Sequence, residues 1–153
     1  MKKIASFICA MFLFLQFFPV SAEAATNATY AGDIIYLENG YYITIECSTI
    51  ATRATSTKTG SKTYVCRASD GTEEWRAVLS GTFTYTGSSA TCTASSCSVS
   101  ITNTNWYVIS KTASKSGNTA TAELTMGRKL LGITIDKDTI SMQLTCSASG
   151  TLS

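Results

Sequence analysis

Residues 74–86 alternate strictly, and that alternation constrains the fold more than any other feature of the chain. Trp75, Ala77, Leu79, Gly81, Phe83 and Tyr85 share one parity; Glu74, Arg76, Val78, Ser80, Thr82, Thr84 and Thr86 share the other. A period of two sends successive side chains to opposite faces of an extended strand, so the first set reads as core and the second as mostly solvent-facing. At roughly 3.3 Å per residue the segment would reach about 40 Å, longer than a usual strand. Gly81 marks the expected bend or bulge, which would let the two halves serve different parts of a sheet.

Shorter alternations flank this one. Tyr41, Ile43, Ile45 and Cys47 oppose Tyr42, Thr44, Glu46 and Ser48, and residues 62–68, 106–111, 119–126 and 140–146 alternate in the same way. Residues 33–37 read as a short apolar strand, and residues 90–94 and 97–101 as two short pieces. Turns are expected at Asn39-Gly40, Asp70-Gly71, Gly87-Ser88-Ser89, Ser116-Gly117-Asn118 and Asp136-Lys137-Asp138, and the Thr- and Ser-rich stretch 49–61 reads as a loop. No sustained 3.6-residue period interrupts the pattern. The expected fold is all-β: a single-domain antiparallel β-sandwich, Ig-like in general architecture, over residues 41–153, with residues 25–40 as an N-terminal segment.

Lys2-Lys3, a largely apolar run over residues 4–20 and Ser21-Ala22-Glu23-Ala24 make a secretory signal peptide over residues 1–24. The expected location is therefore secreted, with no stable membrane span after cleavage. A formal net charge of +2 with no basic stripe argues against a nucleic-acid partner. Histidine is absent, which removes Ser-His-Asp and Cys-His nucleophile pairs together. No C-x-x-C pair is present, and neither a metal nor a cofactor is expected. Glu73-Glu74 and Asp136-x-Asp138 are the carboxylate pairs that calcium binding or glycoside hydrolysis would use, although both read more simply as turn residues. An enzyme is not expected.

The aromatic residues carry the binding alternatives. Trp75 shares its face with Leu79 and Phe83 and reads as core, whereas Tyr107, opposite in parity to Trp106, is the candidate exposed ring for stacking on a sugar. Tyr30, Tyr36, Tyr41 and Tyr42 form a candidate second patch. The expected function is a secreted, non-enzymatic domain binding a cell-surface protein or glycan. A carbohydrate-binding module is the first alternative, and a small carboxylate-dependent glycoside hydrolase the second.

Outside the signal the cysteines are Cys47, Cys66, Cys92, Cys97 and Cys146. Export favours disulfides. Spacing leaves the pairing open: Cys92 with Cys146 closes a long loop, Cys92 with Cys97 a short one, and Cys47 with Cys66 would tie neighbouring strands, with one cysteine left over.

The run GTFTYTGSSATCT at 81–93, the segment TASKSGNTATA at 112–122 and the ending LTCSASGTLS at 144–153 resemble a family of small secreted proteins from Gram-positive bacteria, one of uncharacterised function. The resemblance covers the chain from about residue 62 onward. It implies export, an all-β domain and a bond between the Cys92 and Cys146 positions. It implies no catalytic residue. Cys47 and Cys66 read as additions to that pattern and Cys97 as a further one, with Cys47–Cys66 the possible second bond and Cys97 left unpaired.

Overall fold

The computed structural model describes residues 28–50 and 56–153. Its strands are β1 (Ala28–Tyr36), β2 (Tyr42–Ile50), β3 (Thr57–Arg67), β4 (Glu73–Tyr85), β5 (Ala90–Ile101), β6 (Trp106–Ser116), β7 (Thr119–Leu130) and β8 (Ile133–Thr145). A 3-10 turn, Glu38–Gly40, joins β1 to β2. The expected signal peptide lies outside the described residues.

Five strands form one sheet in the order β1-β2-β3-β4-β5, and three form the other in the order β6-β7-β8. All neighbours are antiparallel. The two sheets pack face to face as a β-sandwich. Each is a plain meander, and among the described residues the chain changes sheet once, between β5 and β6. The general architecture is thus that of Ig-like domains, but the connectivity lacks their Greek-key exchange between sheets.

Alternation accounts for the core. The inward parity of β4 places Trp75, Ala77, Leu79 and Phe83 against Ala120, Ala122, Leu124 and Met126 of β7 and Ile140, Met142 and Leu144 of β8, all buried. Each large apolar side chain removed from water contributes roughly 1.5–3 kcal/mol. Gly81 serves close approach: a Cβ there would lie 2.7 Å from the Phe83 ring and 3.1 Å from Cβ of Ala120 in the facing sheet. The neighbouring bulge is on β5, where Thr82 pairs with Ala94 but Phe83 pairs with Cys92, leaving Thr93 as the extra residue.

That bulge explains why residues 90–101 look like two pieces in the sequence. They are one strand whose parity slips at Thr93, so that Cys92 and then Cys97 and Val99 all pack toward the core. The N-terminal segment is not separate either, since β1 pairs along β2 as the edge strand of the larger sheet. β3 starts at Thr57, inside the stretch expected to be a loop, because Thr and Ser side chains line a strand without leaving an apolar period.

The last hairpin turns at Leu131-Gly132, where φ is 51° and 82°, and Asp136-Lys137-Asp138 runs within β8. Positive φ at both central positions is the geometry that Asn-Gly usually supplies, and a leucine there carries strain on the order of 1 kcal/mol.

Two ends follow from this topology. One gathers the finish of β1, the start of β2, the β3–β4 turn, the β5–β6 crossing and the tip of the β7–β8 hairpin; it is the crossover end. The opposite end holds the β4–β5 and β6–β7 turns and the C-terminal residues, which return to form a bridge between Cys146 and Leu152.

Candidate functional site

Buried polar chemistry collects at the crossover end, beginning with Glu74. The β3–β4 ladder passes from Cys66 opposite Trp75 to Arg67 opposite Glu73, so Glu74 is bulged out of register. The bulge turns Glu74 inward next to Trp75, and the carboxylate residue is only 6% exposed. Its Oε2 accepts hydrogen bonds from Trp106 Nε1 at 3.0 Å and Asn103 Nδ2 at 2.7 Å. Its backbone carbonyl accepts the N–H groups of Thr102 and Asn103, each at 2.9 Å. One residue of β4 therefore pins the crossing between the two sheets. Hydrogen bonds to a charged acceptor contribute about 1.5–3 kcal/mol each, and a buried carboxylate without them would be strongly destabilising.

Trp106 carries the cluster onward. Its ring meets Tyr41 edge-on at 5.4 Å and Trp75 at 6.2 Å. Arg128 lies opposite Trp106 in the β6–β7 register, with its guanidinium 4.9 Å from the Tyr41 ring centre and 5.9 Å from that of Trp106. Arg128 Nη1 donates to the Tyr41 hydroxyl at 3.0 Å, and Nη2 lies 3.6 Å from Asp136 Oδ2. Burial pushes the Asp138 carboxyl above its usual range; the negative charges of Asp136 and Glu38 add to this, and Arg128 opposes it. Burial, with Glu74 and Asp138 nearby, pushes the Cys66 thiol up to about 12, so that it stays protonated and unreactive. Trp75 Nε1 and Arg128 Nε are buried without a hydrogen-bond partner among the described residues.

Of the expected carboxylate pairs, this geometry separates Glu73 from Glu74. Glu73 faces away from Glu74 and binds Arg76 in a fork, at 3.1 and 2.8 Å, with Arg67 at 4.0 Å. The bond from Arg76 holds the Glu73 carboxyl below its ordinary range. Glu73 and Glu74 thus do not converge on one point. Asp136 and Asp138 share the inward face of β8 beside Arg128. Among the described residues, no group of three His, Cys, Asp or Glu side chains is arranged to hold a metal ion.

Tyr107 is half-buried and packs on its neighbours. Its ring lies across Gly127, where a Cβ would come within 2.6 Å of it; its hydroxyl shares a 2.8 Å hydrogen bond with Thr134, and the Lys129 ammonium sits 4.5 Å from the ring centre. Of the other tyrosines, Tyr41 turns inward onto Trp106, while Tyr36, 79% exposed, stands 6.5 Å from Tyr42. The side chain of Tyr30 lies outside the described residues. Two open grooves lie elsewhere. One, of about 310 Å3, runs over the outer face of the smaller sheet between Ser114, Thr121, Glu123 and Gln143. The other, of about 270 Å3, lies between Ile45, Cys47, Lys62 and Leu152. Neither is lined by an aromatic ring.

All five described cysteines are free thiols in the structure. Cys47 pairs with Lys62 and Cys66 with Ile43, a four-residue offset along neighbouring strands, or about 13 Å. A disulfide needs Cα atoms within about 7 Å, and this register holds the possible second pair, Cys47 and Cys66, farther apart than that. Cys92 and Cys97 are held about 16 Å apart along one extended strand. Cys97, opposite Leu79, lies near Lys111, whose charge opposes the upward push of burial on its thiol. Cys92 and Cys146 flank a single turn: their N–H groups donate to the successive carbonyls of Gly117, at 2.7 Å, and Asn118, at 3.0 Å. Both are buried, and burial raises the Cys146 thiol, with Lys58 lowering it and the neighbouring Cys92 raising it further.

Asn103 and Arg128 escaped the sequence reading, in which Glu74 stood as a turn carboxylate paired with Glu73 and Tyr41 as one ring of a tyrosine patch. The available signal was an acidic residue directly before a core tryptophan, where strict alternation assigns it to solvent. Among known proteins, no family model, no curated sequence and no solved structure matches the chain. The resemblance through residues 81–93 and 144–153 therefore stays an expectation.

Asp138 yields a pH test. Its carboxyl is raised in the fold, so its ionisation weakens the fold as pH rises from the ordinary carboxylate range through the raised value. Asp138→Asn should melt higher than the parent at about pH 7, with the advantage fading toward about pH 4 as the parent takes up its proton. Thermal melts at the two pH values check it; a variant no more stable than the parent at the higher pH contradicts it.

Proposed function

We propose that this is an exported, non-enzymatic β-sandwich domain that binds a surface outside the cell through its crossover end. One observation carries this: the exposed apolar side chains are distributed unequally between the two ends. Among the described residues, the large apolar side chains that stand open to solvent are Ile34, Ile35 and Tyr36 at the finish of β1, Ile101 at the finish of β5, Val108 and Ile109 near the start of β6, and Leu130, Leu131, Ile133 and Ile135 around the last hairpin. All lie within a few residues of the crossover end, none at the opposite end. Clustered exposed apolar surface marks interaction sites, whereas scattered single residues do not. Beneath it, the Glu74–Trp106–Arg128 cluster ties the loops to both sheets and gives the surface a fixed base. The absence of histidine and the separation of Glu73 from Glu74 favour binding over catalysis.

A glycan-binding role is the second reading, supported by the exposed Tyr36 ring beside Tyr42. Retention of the labelled secreted protein on intact bacterial cells and on a glycan array tests both. Changing Tyr36 and Ile101 together to Ser should reduce retention on cells roughly tenfold. Glu123→Gln, in the groove on the smaller sheet, should leave it unchanged. Absence of retention, or loss with Glu123→Gln alone, overturns the assignment of the end. Array binding that depends on Tyr36 favours the glycan.

Export also bears on the cysteines. We propose that Cys92 and Cys146 are joined in the secreted protein by exchange with an oxidised dithiol of the export compartment, whose disulfide is reduced to two thiols as the new bond forms. Supporting this are their shared anchorage on the 117–118 turn and the upward push of Cys92 on the Cys146 thiol. A bond closing so long a loop stabilises by on the order of 4 kcal/mol. Non-reducing peptide mapping should recover Cys92 linked to Cys146, and reduction should lower the melting temperature. Recovery of both as free thiols, or of either bonded elsewhere, contradicts it.

A further inference from the structure

β7 and β8 run beyond the crossover end as a two-stranded hairpin, and its tip is apolar. Leu130, Leu131, Ile133 and Ile135 are all open to solvent, Leu131 at 96%. The tip from Leu130 to Ile135 carries no charged residue, and the other two positions are Gly132 and Thr134. Lys129 precedes it and Lys137 lies on the returning strand. Arg128 and Asp136 face each other below the tip and offset one another's charge. We propose that this tip inserts into the interfacial layer of a lipid bilayer bearing anionic headgroups. The proposal deepens, and rests on, the assignment of the crossover end as the binding end.

Depth, shape and charge select this occupant. From Lys129 to the turn is about three residue steps, or roughly 10 Å, which matches the ~5–10 Å to which interfacial elements sink. A membrane-spanning strand would need about 9–11 residues, so the tip can embed but not cross. Leu130 pairs with Ile133, so the ladder satisfies the facing backbone groups as far as the turn, while the outward groups of these two edge strands need water or headgroups, which confines the tip to the interfacial layer. The tip is convex, only two strands wide, and apolar on both sides of its turn. A stable protein partner generally covers about 800 Å2 on each side, more than four side chains on a tip present. The flanking lysines fall at headgroup level, where each favours an anionic leaflet and can lay its methylene stem along the apolar layer. Tyr107, lying across Gly127 and bonded to Thr134, braces the neck so that the tip is held out from the body. Leu131 occupies a left-handed turn position that suits Asn or Gly better. Its cost to the fold leaves an outward role as the physical reason for a leucine there.

The test is flotation of the secreted protein with vesicles of phosphatidylglycerol and phosphatidylcholine in equal parts, against vesicles of phosphatidylcholine alone. The protein should float with the anionic vesicles, less with the neutral ones, and less as salt rises. Leu131→Asn removes the apolar side chain while easing the turn, so it should fold and melt at least as well as the parent. It should nevertheless lose binding roughly tenfold or more, the partition of one leucine side chain. Leu131→Trp should shift its emission to the blue on adding the anionic vesicles. Failure of the parent to float, unchanged flotation of Leu131→Asn, or an unshifted Leu131→Trp spectrum overturns the proposal. Concentration-dependent dimerisation abolished by Leu131→Asn, without flotation, also overturns it and makes the tip a contact between copies. If flotation fails while retention on cells still depends on Tyr36 and Ile101, the lipid assignment falls and the binding end stands; if both fail, the binding end falls too.

Discussion

The hydrogen bond from the Trp106 indole to the Glu74 carboxylate is the contact on which the crossover end depends. Glu74 belongs to the larger sheet and Trp106 to the smaller, and among the described residues the chain passes from one sheet to the other once, between β5 and β6. Sandwich packing alone fixes the spacing of two sheets but leaves freedom in how one slides over the other. A buried carboxylate held by two side-chain donors, on a residue whose backbone carbonyl accepts two further N–H groups, removes that freedom, because any slide strands the carboxylate in an apolar core. The bulge at Glu74 makes the contact possible by turning a residue of outward parity inward. Arg128, stacked against Tyr41 and Trp106, extends the same network to the start of β2 and the base of the last hairpin.

This arrangement links packing to the proposed function. An exposed apolar hairpin on a loosely held end would fold back onto its own core. Here the neck is fixed on its inner side by Arg128 with Asp136 and on its outer side by Tyr107 over Gly127. The apolar side chains at the tip are thereby held in water. The opposite end is built differently: polar turns and the C-terminal residues close over Cys92 and Cys146, and no large apolar side chain described there stands open.

The core was legible in the sequence because alternation is a direct consequence of strand geometry. Trp75, Leu79 and Phe83 face inward as their parity requires, and the all-β sandwich follows from them. What escaped depends on register, which a period of two does not encode. A single extra residue at Thr93 made one strand look like two, and another at Glu74 hid a buried carboxylate. The turn at Leu131-Gly132 was invisible because leucine is a poor turn former, and Asp136-Lys137-Asp138, richer in turn residues, drew the assignment instead. Tyr107 was assigned an open face because its parity opposes Trp106. That it lies across a glycine on the next strand depends on pairing and not on composition.

If Glu74 and Trp106 together fix the crossover end, their contributions to stability must be coupled. A double-mutant cycle with Glu74→Ala and Trp106→Phe, followed by urea unfolding, measures this most directly, since phenylalanine keeps most of the ring and removes the donor. The expected coupling is about 1.5–3 kcal/mol, the range for a buried hydrogen bond to a charged group. Additive losses, with coupling under about 0.5 kcal/mol, would contradict the central role of this contact.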